Sequence, residues 1–321
     1  MSASEIRMVC ASHSPLQLGF LDAADADSQR RFFEAITAAR DWLREFDPQL
    51  FVIFGPDHFN GFFLDLMPSF CVGIAAESMR DWDIEQKPLK VDAAAARGCI
   101  AALHAAGIDA AVSHRMRADH GITIALLQLS GSLDAAALLP VFINCAADPR
   151  PGFRRVRLMG EAVGRYLAGL DKRIVVVGSG GLSHDPPTPR LATAPPEVVK
   201  RLIDRHDPDV GELHRRQDRV VRHAKELAEG RGPCQPPNEP WDRRFLERLL
   251  VRDIESFDAY TDAMIDREAG FGGHEVRTWV AAAAAMTAAT AGVADIATRL
   301  DYYHVIPEWL TGMAVVRASV R

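Results

Sequence analysis

A chain of 321 residues with 48% hydrophobic content can bury one large core, and its net charge of −6 leaves no basic footprint for nucleic acid. The arginines near Arg154, Arg215 and Arg243 are interrupted by acids and read as solvated surface. Five widely spaced cysteines form no CxxC pair, the longest apolar run (279–286) is too short to span a bilayer, and the first residues carry no apolar signal core, so the expectation is a cytoplasmic protein with reduced thiols and no membrane partner.

Ile6 to Ala11 reads as a strand that runs into Ser12-His13-Ser14-Pro15. From Asp25 to Phe46, apolar residues including Phe32, Ile36, Ala39 and Leu43 recur at helical spacing, and Pro48 ends the helix. Leu50 to Phe54 is a second strand, leading into Gly55-Pro56-Asp57-His58-Phe59-Asn60. The apolar runs 62–67 and 70–75, broken at Pro68, suggest a marginal hairpin. An alanine-rich helix is expected over 91–106. A weaker strand at 109–113 then leads through Arg115 and Arg117 to Asp119-His120-Gly121, with a helix behind it over 122–130.

Leu138 to Ile143 is a buried strand ending at Asn144, and Val156, Met159, Val163 and Leu167 mark an amphipathic helix over 154–170. Ile174 to Val177 has no polar face, as a fully buried strand should. It runs into Gly178-Ser179-Gly180-Gly181-Leu182-Ser183-His184, whose glycines allow a sharp turn and close approach by a neighbour. Residues 186–240 change character: many prolines, a charged helix-like middle from 209 to 229 and no strand signal, which reads as a helical insertion or lid without a core of its own. Helical pattern returns over 245–260. A glycine-bearing loop at 268–273 precedes His274-Glu275, which opens an alanine-rich helix to residue 291; residues 302–317, with Pro307-Glu308-Trp309, close the chain.

Alternating strands and helices predict one α/β domain over 1–321: a mostly parallel central sheet with helices on both faces, plus the helical insertion at 186–240. Carboxyl ends of parallel strands share an edge, so His13, His58 and His184 can meet there, with His120 joining them. Two imidazoles and one carboxylate can hold iron while leaving positions open. His13 and His58 have similar strand-end settings, and Glu275 follows glycines that let the backbone approach. Asp57 and Asp119 lie beside histidines and could orient them. A strand-end histidine is also a common structural residue. The glycine run lacks the pattern of a phosphate loop, and Ser183-His184 lacks a GxSxG elbow.

Ser12-His13-Ser14-Pro15, Pro56-Asp57-His58-Phe59-Asn60, Asp119-His120-Gly121, Pro140 to Asn144, Gly178 to His184 and His274-Glu275 occur in one order that resembles the class III extradiol ring-cleavage dioxygenases, nearly end to end. The resemblance implies Fe(II) held by His13, His58 and Glu275, with no organic cofactor. It implies His120 as proton donor, His184 as proton acceptor and Asp119 as support beside the donor. The implied substrates are O2 and a 3-substituted catechol such as 3-(2,3-dihydroxyphenyl)propionate or 2,3-dihydroxycinnamate, opened beside its hydroxyls, by an enzyme expected to be a homo-oligomer.

Asp119 should help His120 keep its proton, and a desolvated, glycine-lined His184 should shed its own. Departures at 79–89, 114–117 and 186–240 leave recognition of the side chain open, with Arg115, Arg117 and Arg277 as candidates for an anionic tail. The rival readings are an extradiol enzyme for another catechol, a metal-dependent hydrolase, and a non-catalytic binding protein of the same fold.

Overall fold

The computed structural model describes residues 6–291 and 295–320. Residues 1–5, part of the segment read as lacking a signal core, lie outside them. The strands are β1 (Ile6–Ala11), β2 (Leu50–Gly55), β3 (Phe70–Gly73), β4 (Ala76–Ser78), β5 (Ala111–Ser113), β6 (Met116–Ala118), β7 (Leu138–Ile143), β8 (Ile174–Ser179), β9 (Ile296–Ile306) and β10 (Thr311–Val320). The helices are α1 (Ala26–Phe46), α2 (Ala93–Ala105), α3 (His120–Ser130), α4 (Phe153–Leu167), α5 (Pro196–Ile203), α6 (Val210–Ala228), α7 (Glu239–Leu250), α8 (Asp262–Glu268) and α9 (Val276–Ala289).

Eight strands form one sheet in the order β5-β3-β7-β2-β8-β1-β10-β9, while β4 and β6 pair separately. Along β8 the alternation of side chains feeds two cores. Ile174 and Val176 join Val156, Phe245 and Trp279 on one face; Val175 and Val177 join Phe32, Ile36 and Leu126 on the other. Helices on both faces leave β8 without a polar side, which is why its sequence shows no alternation. All five cysteines are buried free thiols. No helix among the described residues is long and apolar enough to cross a membrane.

The expected mostly parallel sheet is corrected to a mixed one. β7, β2, β8 and β1 run parallel, but β3 is antiparallel to β7, and β10 is antiparallel to both β1 and β9. β9 and β10 come from the tail, where the short turn at Pro307–Trp309 joins them. A connection that short can only make an antiparallel pair.

The strand expected over 62–67 does not form. Asp57 accepts the N–H groups of Asn60, Gly61 and Phe62, closing a turn. The next residues pair outward, with the Leu64 and Asp65 N–H groups donating to Leu202 and Ile203 at the end of α5. Residues 196–203 and 210–228 form α5 and α6, and the end of α5 is thereby tied to the loop that follows His58.

Candidate active site

The parallel strands place their loops at one edge. His13 lies two residues beyond β1, His58 three beyond β2 and His184 five beyond β8; Glu275 stands at the start of α9. Glu275 can reach this edge because Gly180 has no side chain: a Cβ there would fall 2.9 Å from the Glu275 Cβ. The Gly181 N–H then donates to Glu275 Oε2 at 2.8 Å, fixing the carboxylate.

Three histidines converge on that carboxylate. His58 Nε2 lies 3.1 Å and His184 Nε2 3.5 Å from Oε1, and His13 Nε2 lies 3.4 Å from Oε2. The remaining ring nitrogens are also engaged: His13 Nδ1 lies 2.9 Å from Ser179 Oγ and His58 Nδ1 2.9 Å from Asp119 Oδ2. Such partners fix the tautomer and aim of an imidazole that ligates a metal.

Electrostatics supports the same grouping. Burial pushes His13 down, to about 3, against the pull of Glu275. Burial acts on His58 in the same direction, yet Asp119 and Glu275 together hold it well above its ordinary value. Burial would raise Glu275, but the surrounding histidines hold it well below the usual carboxylate range. His58 and His13 approach the carboxylate at different oxygens, His58 Nε2 at Oε1 and His13 Nε2 at Oε2.

His120 opens α3 and stacks on His58, with ring centroids 4.0 Å apart. His13, His58 and His120 each offer a nitrogen within 4.8 Å of the others, so distance alone also admits His120 to a metal cluster. Its ring is held by a carboxylate of its own. His120 Nδ1 lies 2.6 Å from Asp81 Oδ2, which also accepts the His120 N–H at 3.1 Å.

Asp119, expected to support His120, makes its hydrogen bonds to other groups. It caps α3 by accepting the Gly121 N–H at 2.9 Å, takes the His58 ring nitrogen and His58 N–H, and lies 3.8 Å from His120 Nδ1. Its carboxyl is held below the ordinary range, His58 and His120 overcoming the effect of burial. Asp57, the other candidate carboxylate, is engaged in its own turn.

Asp81 and Trp82 were missed by the sequence reading. They sit on a turn with left-handed backbone at Trp82 and Asp83 (φ 53° and 59°), a conformation that non-glycine residues rarely adopt. Trp82 packs edge-on to His120 at 6.3 Å and lines the same cavity. A pair of aspartates around a tryptophan was the only signal available.

His184 donates through Nδ1 to the Leu182 carbonyl at 2.8 Å, which leaves Nε2 with the lone pair in the neutral ring. A Cβ on Gly272 would collide with that Nε2, so the glycine keeps the face of the ring open. Burial pushes this imidazole down, but Glu275 outweighs burial and the net shift is upward. Neighbouring His274 is structural, its two ring nitrogens held by Asp266 and Arg277.

The arginines favoured for an anionic tail are engaged elsewhere. Arg115 is exposed and pairs with Glu77, Arg117 pairs with Asp207, and Arg277 is fully buried on Asp262, Pro151 and His274.

The mixed α/β sheet gathers histidines and a glutamate at its parallel edge, in a cavity whose histidine cluster could hold a metal ion. The family described as the catalytic LigB subunit of aromatic ring-opening dioxygenase matches residues 7–314, and the chain belongs to it, as an extradiol catechol dioxygenase. The chain is similar to curated proteins named 2,3-dihydroxyphenylpropionate/2,3-dihydroxicinnamic acid 1,2-dioxygenase. One from Rhodococcus sp is 45% identical over 97% of both chains. Those from Rhodococcus jostii (strain RHA1) and Cupriavidus pinatubonensis (strain JMP 134 / LMG 1197) are each 44% identical over 98% of both chains.

Proposed function

We propose that the chain is a cytoplasmic Fe(II)-dependent dioxygenase that opens 3-(2,3-dihydroxyphenyl)propionate with O2 to 2-hydroxy-6-oxonona-2,4-dienedioate, and takes 2,3-dihydroxycinnamate in the same way. The observation that carries the reading is the convergence of His13, His58 and His184 Nε2 on the one buried carboxylate of Glu275, at 3.4, 3.1 and 3.5 Å. Near-full-length similarity to enzymes named for these substrates supports the choice of catechol.

His13, His58 and Glu275 would hold the metal. Bound there, Fe(II) supplies Lewis acidity toward the two catechol oxygens and a route for electrons from ring to O2. His184 takes a catechol proton at Nε2, the nitrogen left free by the Nδ1 bond to Leu182. His120, with Asp81 on Nδ1, presents Nε2 as the atom that returns a proton as the ring opens. Trp82 and Leu310 wall the cavity and keep water from the ring.

Oxygen uptake tests the reading. Purified without air and loaded with Fe(II), the protein should consume one O2 per ring opened and yield a yellow ring-fission product. Turnover without oxygen would indicate a hydrolase, and failure to bind iron or to turn over would indicate a binding protein.

A further inference from the structure

The histidines and Glu275 form one wall of the cavity, and α5 and α6 form the facing one, which is cationic. Arg201 from α5 and Arg216 and Arg219 from α6 line the same cavity as His13, His120 and His184. On α6 the positions 212, 216 and 219 recur once per turn, so Glu212 and two of the arginines share a face.

Glu212 serves two of the three arginines. Arg216 Nη2 donates to Glu212 Oε1 at 2.5 Å, and Arg201 Nε lies 3.7 Å from the same oxygen. Arg216 is fixed again on its other side: Nη1 donates to Asn60 Oδ1 at 3.2 Å, and Asn60 Nδ2 donates to Asp119, the partner of His58. Arg216 thus belongs to the scaffold of the metal-site histidine.

Arg219 has no such tie. It makes no ion pair with any described residue, and its Nε is buried without an acceptor. A buried donor left unpaired is unfavourable unless a ligand completes it. The charges acting on it are repulsive: after burial, Arg201, Arg216 and Arg222 are what destabilise its cationic form. An anion entering this corner relieves both conditions at once. The stem of such a ligand would run over apolar wall supplied by Leu202, Leu213 and Val220.

We propose that Arg219 is the specificity-determining residue that binds the carboxylate on the substrate's side chain; this rests on the reading above that the catechol ring sits against His13, His58 and Glu275. Arginine suits the task because its planar fork matches a carboxylate with two parallel N–H donors.

The test compares Fe(II)-loaded wild type, Arg219→Gln and Arg219→Lys on 3-(2,3-dihydroxyphenyl)propionate and on uncharged 3-propylcatechol. For Arg219→Gln the ratio of kcat/KM, propionate over propylcatechol, should fall by about 10- to 100-fold, mainly through a higher KM for the propionate. Arg219→Lys should recover part of that ratio, since it keeps the charge and loses the fork. An unchanged ratio in both variants overturns the assignment, as does an equal loss on the two substrates. If wild type cleaves neither catechol, the functional reading fails first and the assignment falls with it; if wild type cleaves both, only the variants decide.

Discussion

On the floor of the cavity, each histidine nitrogen that faces away from Glu275 or the cavity has a partner: Ser179 for His13, Asp119 for His58, Asp81 for His120 and the Leu182 carbonyl for His184. On the roof, Arg201 and Arg216 share Glu212, and Arg219 Nε has no acceptor among the described residues. The floor is oriented by the protein before anything binds, whereas the roof is completed by what binds. Chemistry and selection are thus carried by different parts of the chain, the first by loops on a buried sheet edge and the second by a surface insertion.

The largest effect expected from breaking the floor is at Glu275. Glu275→Gln keeps the shape and removes the charge on which three histidines converge, and ring-opening activity should drop more than about 10³-fold without recovery on adding Fe(II). Full activity after Fe(II) addition would move the carboxylate ligand elsewhere.

His184→Ala and His120→Ala come next, each lowering kcat by roughly 10²–10⁴. They should differ in pH dependence. A base must be unprotonated, so loss of His184 removes the acidic limb of the kcat/KM profile; an acid must be protonated, so loss of His120 removes the basic limb. Profiles with both limbs intact would contradict the pairing of roles.

The two aspartates separate support of the metal from support of the proton donor. Asp119→Asn weakens the partner of His58 and should cost about 10- to 100-fold in metal affinity. Asp81→Asn weakens the partner of His120 and should lower kcat by a similar factor while iron stays bound. Reversed outcomes would restore Asp119 as the support of His120.

The smallest effect lies beneath the His184 loop. The Asp242 carboxylate accepts the Ser183 N–H at 2.8 Å and the Tyr303 hydroxyl at 3.0 Å, and burial pushes it up to about 7. The folded chain therefore holds a proton that the unfolded chain releases, and stability falls as pH rises from the ordinary 3.8 toward 7. Asp242→Asn should remove that slope, so its Tm relative to wild type should be higher at pH 8 than at pH 5 by about 2–4 °C, the equivalent of about 1 kcal/mol. A difference of zero or of opposite sign would place the charge elsewhere.

The floor was largely legible in the sequence, and the roof was not. Runs such as Ile174 to Val177 announce buried strands, and glycines mark where they end, so parallel connectivity alone brings His13, His58 and His184 to one edge. The antiparallel additions escaped because β9 exposes Arg299 and His304 on a half-covered edge and Pro307 interrupts the pattern.

Partner choice escaped for a different reason. Asp119 adjoins His120 in sequence but bonds to His58, 61 residues away, while the partner of His120 comes from 39 residues away on a turn with no glycine to mark it. Proximity to the motifs pointed to Arg115, Arg117 and Arg277. The arginines of the cavity instead sit on helices whose charged sequence resembles any solvated surface, and only packing reveals which face is turned inward.

Which side chains hold the metal is the central question, since donor distances group His120 with His13 and His58, whereas Glu275 is joined to them by its contacts with each ring. Iron content of Glu275→Gln and His120→Ala, reconstituted side by side with Fe(II) without oxygen and then freed of loose metal, decides between them. The prediction is near-stoichiometric iron in His120→Ala and less than about a tenth of that in Glu275→Gln. Iron retained by Glu275→Gln and lost from His120→Ala would contradict the account.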